Sequence, residues 1–153
     1  MSSEVFQRSL FDALRDELSG AESLRAVLER EAEVLTSLQI EDIGAVVAQK
    51  QEMVAALQDA AERRNAAAEA LGFKADASGV MAFMEQAEPT AALQGVWRRL
   101  EAEISACAEL NRHNEMLNRG GQRRIQQLMR LLRGEPAEPL TYDQLARSTA
   151  AGL

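Results

Sequence analysis

The sequence predicts an all-α protein, an elongated antiparallel helical bundle or coiled coil of three long helices and one short one, with a mobile C-terminal tail. Three observations predict it. Hydrophobic residues make up 46% of the 153 but aromatic ones only 4%, and the common residues Ala, Leu, Glu, Gln and Arg are good helix formers. Prolines stand only at 89, 136 and 139, so the first 88 residues contain no proline break. Apolar residues also recur at steps of 3 and 4 over long stretches, the signature of a helix seam. The expected division is a bundle domain over 1–134 and a flexible tail over 135–153.

The first helix is expected over 4–37, about 50 Å at the rise of an α-helix. Its seam reads Phe11, Leu14, Leu18, Ala21, Leu28, Ala32 and Leu35, with Arg25 as the polar interruption. Asp42 is a candidate cap for a second helix over 42–71. The seam there reads Ile43, Val47, Val54, Leu57, Ala61, Ala68 and Leu71, interrupted by Lys50 and Arg64. Gly72 follows at the usual place for a left-handed stop. Residues 73–78 form a connection, and a short helix over 79–87 offers Val80, Met81, Phe83 and Met84 to the end of the bundle. Thr90 caps the third long helix. Its seam runs through Leu93, Trp97, Leu100, Ile104, Cys107, Asn111, Asn114, Asn118, Gly121, Ile125, Leu128 and Leu132 to a stop at Gly134. Beyond it, Pro136 and Pro139 interrupt any period, and only 141–150 retains a helical pattern.

Charge and residue counts narrow the function classes. The net charge is -7. Residues 1–97 carry 17 acidic and 8 basic residues, whereas 98–133 carry 4 acidic residues and 8 arginines, so the acidic first helix and the arginine-rich third long helix are expected side by side. The start of the chain lacks the continuous apolar run of a secretion signal, and no stretch approaches the roughly 18 apolar residues of a membrane span. The single cysteine, Cys107, makes an intrachain disulfide impossible and fits a reducing cytoplasm. The single histidine, His113, excludes a di-iron bundle built on two Glu-x-x-His motifs. No phosphate-binding glycine loop occurs. No catalytic group, metal site or cofactor is therefore expected, and the chain reads as a non-enzyme. Six arginines between Arg112 and Arg133 face only Glu115, but no aromatic residue lies between Trp97 and Tyr142 to stack on bases. A solvated or salt-bridged face is the expected role, without nucleic acid.

The sharpest local feature is the polar seam Asn111, Asn114 and Asn118, set where Leu or Ile is expected. A buried amide without a partner costs about 1–3 kcal/mol. Such residues either fix which helix pairs with which or mark a stretch left open for a partner. The pair Gly120–Gly121, at roughly 1 kcal/mol each in a helix interior, favours a weakened segment.

Several local patterns together resemble the FlgN family. They are the Leu/Glu-rich first helix, the opening Ile40-Glu41-Asp42-Ile43 with Lys50 beyond it, and Arg63-Arg64 before Leu71-Gly72. The stretch Leu110-Asn111-Arg112-His113-Asn114-Glu115-Met116-Leu117 adds an Asn-x-x-Asn pair, and Leu131-Leu132-Arg133-Gly134 and Thr141-Tyr142-Asp143 resemble the family's ending. The resemblance implies a cytoplasmic chaperone of flagellar type III export. It would hold the hook–filament junction proteins FlgK and FlgL and deliver them to the export gate, with Tyr142 docking on the gate protein FlhA. The surface that receives a client helix is expected at Ile125, Leu128 and Leu132 with Leu140 and Leu145 of the tail. Without that resemblance the same heptads describe a non-catalytic coiled-coil adaptor, and seams of this kind also allow a homodimer.

Overall fold

The structure, a computed structural model, describes residues 3–132, apart from the side chains of residues 122, 124, 125, 128 and 129. Four helices follow one another: α1 (Ser3–Thr36), α2 (Ile40–Ala70), α3 (Ala77–Gln86) and α4 (Ala91–Leu132). The described residues contain no strand.

Each boundary has a local cause. Leu38, in the left-handed region at φ 55°, ends α1, and the Gln39 N–H donates to Val34 O at 3.1 Å, closing a Schellman-type stop on a leucine rather than a glycine. The expected cap at Asp42 is corrected: α2 already starts at Ile40, Gln39 precedes it without a side-chain cap, and Glu41 and Asp42 lie in its first turn, where they complement the helix dipole. Gly72 ends α2 at φ 90°. The α3 helix opens two residues earlier than expected because Asp76 caps it, accepting from the Gly79 N–H at 2.9 Å. Thr90 caps α4, its hydroxyl accepting from the Leu93 N–H at 3.3 Å.

The α1 helix is the spine, packing along both α2 and α4, while α3 touches α2. The α1–α2 pair is antiparallel: Glu17 meets Arg64 and Glu31 meets Lys50, so numbers rise in one helix as they fall in the other. The α1–α4 pair has the other sense. Ala21 pairs with Cys107 and Leu28 with Asn114, a constant offset of 86 residues, so α1 and α4 run parallel, as the first and third elements of an up-down-up bundle must. Carried on to Thr36, that offset brings the end of α1 level with residue 122. The last ten residues of α4 extend about 15 Å beyond it.

The apolar core is concentrated at the α3 end. Leu10, Leu14, Leu18, Ala67, Ala68, Val80, Phe83, Leu93, Trp97 and Leu100 form its main cluster, with Phe73 edge-on to Phe83 at 5.6 Å between ring centres. Each large side chain removed from water contributes on the order of 1.5–3 kcal/mol. Of the four residues expected to close this end, Val80, Phe83 and Met84 do so and Met81 is exposed. A smaller cluster of Leu24, Leu28 and Cys107 lies farther along.

Polar locks in the seams and the overhanging end of α4

The seam residues that interrupt the heptads are locks between helices. Arg64 of α2 donates from Nη1 to Glu17 Oε1 of α1 at 2.8 Å, and both side chains are largely buried. Burial is the stronger influence on Glu17 and raises its pKa above the usual carboxylate value, while Arg64 opposes it. Fourteen residues along, Lys50 Nζ donates to Glu31 Oε1 at 3.4 Å and to Asn111 Oδ1 of α4 at 2.6 Å. Asn114 completes this second lock. Its Nδ2 donates at 2.8 Å to Leu28 O and at 2.8 Å to Glu31 Oε1. The amide orientation is fixed by its surroundings, because turning it would set an oxygen against those two acceptors. Asn114 Oδ1 is then buried with no partner.

The polar seam is thus divided by the helix turn. Asn114 is 2% exposed and faces α1, Asn111 is half-buried and faces α2, and Asn118 is exposed. The exposed Asn118 yields its seam place to Leu117, which is buried. The same one-residue rotation puts Glu103 against α1, where it accepts from Arg25 at 3.2 Å, and leaves Ile104 exposed. The expected contact of the acidic α1 with the arginines of α4 holds for Arg99 and Glu22. Arg112 and Arg119 are exposed, in keeping with the solvated face expected of them. Cys107 donates to Ala21 O at 3.4 Å, and burial first, then Glu103, pushes its thiol pKa up. It is a packed thiol, unsuited to nucleophilic work.

A cavity of about 100 Å³ adjoins the second lock, walled by Val34, Leu35, Ile43, Val46 and Val47 on its apolar side and by Glu31, Lys50, Asn114, Glu115 and Asn118 on its polar side. The described residues contain no group of three or more His, Cys, Asp or Glu side chains placed to hold a metal, and no helix among them is long and apolar enough to cross a membrane. Of the expected client surface, Leu132 is 83% exposed on the overhang, beside the exposed Leu131. Ile125 and Leu128 lie on the overhang by position, and their side chains are outside the description. Leu140, Tyr142 and Leu145 lie outside the described residues.

Sequence reasoning missed the carboxylate partners Glu17 and Glu31. The signal was present: Lys50 and Arg64 are fourteen residues apart in α2, as are Glu17 and Glu31 in α1, and two equal spacings of opposite charge mark a helix pair, which the short connection between Thr36 and Ile40 makes antiparallel.

What the fold and its site define is a three-helix coiled-coil bundle locked by buried polar pairs, in which α4 runs on past the end of α1. Residues 1–149 match the model of the FlgN protein family, and the chain belongs to that family, which comprises flagellar export chaperones. No curated protein and no solved structure gives a significant match.

Proposed function

We propose that the chain is a cytoplasmic, non-enzymatic chaperone that binds the hook–filament junction proteins FlgK and FlgL through helix–helix contacts and delivers them to the flagellar type III export gate. The observation that carries this reading is the family match over nearly the whole chain. The overhang supports it: ten helical residues past the end of α1, ending in two exposed leucines, are suited to helix-in-groove pairing with an amphipathic client segment. On this reading Ile125, Leu128 and Leu132 on α4, with Leu140 and Leu145 beyond it, receive the client, and Tyr142 docks on FlhA.

The test is co-purification of the tagged chain with FlgK- and FlgL-type proteins from its own source, comparing full length with a chain ending at Gly134. Capture by the full-length protein and loss on truncation is expected. Capture by both forms keeps the function and moves the client site onto α4. Capture by neither folded form leaves a non-catalytic coiled-coil adaptor as the description. For Tyr142, Tyr142→Ala is expected to abolish binding to FlhA and to spare client binding.

A further inference from the structure

The α4 helix carries two adjacent glycines, Gly120 and Gly121, in its interior, well before its end at Leu132. Glycine is the poorest helix former after proline, so such a pair needs a cause. Other glycines of the chain show what a cause looks like. Gly72 holds a left-handed φ of 90°. A Cβ at Gly79 would meet Lys74 O at 1.8 Å, and one at Gly20 would lie 3.3 Å from Leu57 of α2. Neither cause operates in α4. The helix runs through both glycines with no left-handed residue, and a Cβ added at Gly121 meets nothing within 4 Å. Gly44 and Gly95 are equally unconstrained, but each stands close to the start of its helix, where ends fray in any case.

Position supplies the cause. With the register set by Ala21–Cys107 and Leu28–Asn114, Gly120 and Gly121 are level with Val34 and Leu35, in the last turn of α1. The α2 helix starts at Ile40, just across the connection from Thr36, so both neighbours of α4 stop near this level. Below it α4 is anchored: Asn114 and Leu117 are buried, and Asn118 lines a cavity with Val34 and Ile43. Above it none of the side chains described between 119 and 132 is buried, and Leu131 and Leu132 are exposed. Gly121 is itself a seam position, where a side chain is due to touch α1, so the empty space around its Cβ marks the level at which α4 parts from its support. The weakest pair of helix formers thus stands where lateral support ends, and sharp bends in helices concentrate at such pairs.

We propose that Gly120–Gly121 is a hinge, and that residues 122–132 form a helical arm that swings on it while the rest of the bundle stays fixed. At the rise of an α-helix the arm is about 16 Å long, so a bend of roughly 30° at its base carries the tip about 8 Å. The two exposed leucines at the tip move with it. The inference concerns a motion of the chain alone. It goes beyond the chaperone reading, to which it adds a way of presenting one apolar tip to partners at different angles.

The test is made on the full-length chain with no partner present. Spin labels at Ser23→Cys and Gln126→Cys, both exposed positions, span the hinge. Labels at Ser23→Cys and the exposed Met116→Cys do not, and Cys107→Ala in both keeps the thiols to the labelled pair. Distance distributions from pulsed electron resonance are expected to be at least twice as broad across the hinge as below it. Gly120→Ala with Gly121→Ala is expected to narrow the broad distribution to the width of the control, and circular dichroism verifies the fold of every variant. Backbone carbon chemical shifts separate a hinge from a frayed end, and they are expected to remain helical over 122–130. Equal widths for the two pairs in the chain with both glycines overturn the inference, α4 then being a rigid rod. Breadth that survives the alanine pair places the motion elsewhere and overturns it too, as do coil shifts over 122–130. No client enters this test, so its outcome is independent of whether FlgK- or FlgL-type proteins co-purify with the chain.

Discussion

Glu17 and Arg64 set the energetics of the α1–α2 interface at the residue scale. Removing one partner of a buried pair leaves the other charge unmatched, at about 3–5 kcal/mol. Arg64→Met is expected to destabilise the fold by about that amount, read from urea unfolding, and Glu17→Leu with Arg64→Met to recover most of it. The pH dependence has a definite sign. Burial raises the Glu17 pKa above its ordinary value of 4.5, so this group's contribution to stability is full below that value and is lost as pH rises through the raised one. Without Arg64 nothing opposes burial, and the deficit of Arg64→Met is expected to be larger at pH 7.5 than at pH 5. Cys107 gives a simpler expectation. A buried thiol with a raised pKa reacts slowly, so thiol-specific reagents should label it only at the rate of unfolding; fast labelling at neutral pH would contradict its placement.

At the scale of the element, the helix ends are where sequence chemistry is most exposed to test. A Cβ at Gly79 would lie 1.8 Å from the carbonyl oxygen of Lys74, a backbone atom that has no room to yield. Gly79→Ala is expected to dislodge the start of α3, uncover Trp97 and shift its fluorescence to the red. In the other direction, Leu38 is 54% exposed and holds a left-handed conformation that costs a side chain roughly 1–2 kcal/mol. Leu38→Gly should therefore stabilise the protein, or at worst leave it unchanged, which a thermal melt measures. Nothing lies within 4 Å of a Cβ added at Gly121, so Gly121→Ala should strengthen α4 by roughly 1 kcal/mol.

The helices and their ends were legible in the sequence because period and caps are local. The bounds of α1, α3 and α4 fall within two residues of those read from Thr90 and the apolar steps, and the glycine stop of α2 at Gly72 was visible outright. Which side of each helix faces inward was less legible. A heptad pattern names a stripe but not the helix it meets, and α1 has to serve two neighbours. Its buried face therefore widens to include Leu10, Leu24, Glu31 and Val34. On α4 the support of α1 turns the stripe by one position, from Ile104 and Asn118 to Glu103 and Leu117. The second lock was half legible, since the asparagines stood out and their carboxylate partner did not: an acidic residue on a charged helix carries no mark of burial until its cation is found.

For the whole molecule, the asymmetry between its two ends governs opening. The second apolar cluster reaches as far as Leu28, and past that level the described bundle relies on the polar lock, a few valines and Leu117. Amide hydrogen exchange is expected to be slowest around Leu14, Leu18 and Leu100, and fastest in α4 beyond Asn118. Uniform protection along α4 would contradict this gradient. A helix that opens at one end while the other holds suits a chain that receives and releases a partner repeatedly.

The constant offset of 86 residues between α1 and α4 has a consequence during synthesis. The α1–α2 hairpin is complete once Ala70 has emerged, but the flank of α1 that α4 covers stays bare until the next 62 residues have been added. At usual elongation rates that is on the order of 3–12 s. Through that interval the nascent hairpin offers Ala21, Leu24 and Leu28 to whatever helix arrives first, and on a crowded polysome the nearest one is the finished α4 of a neighbouring copy. The order in which the ribosome delivers these helices therefore makes exchange between copies a hazard of birth.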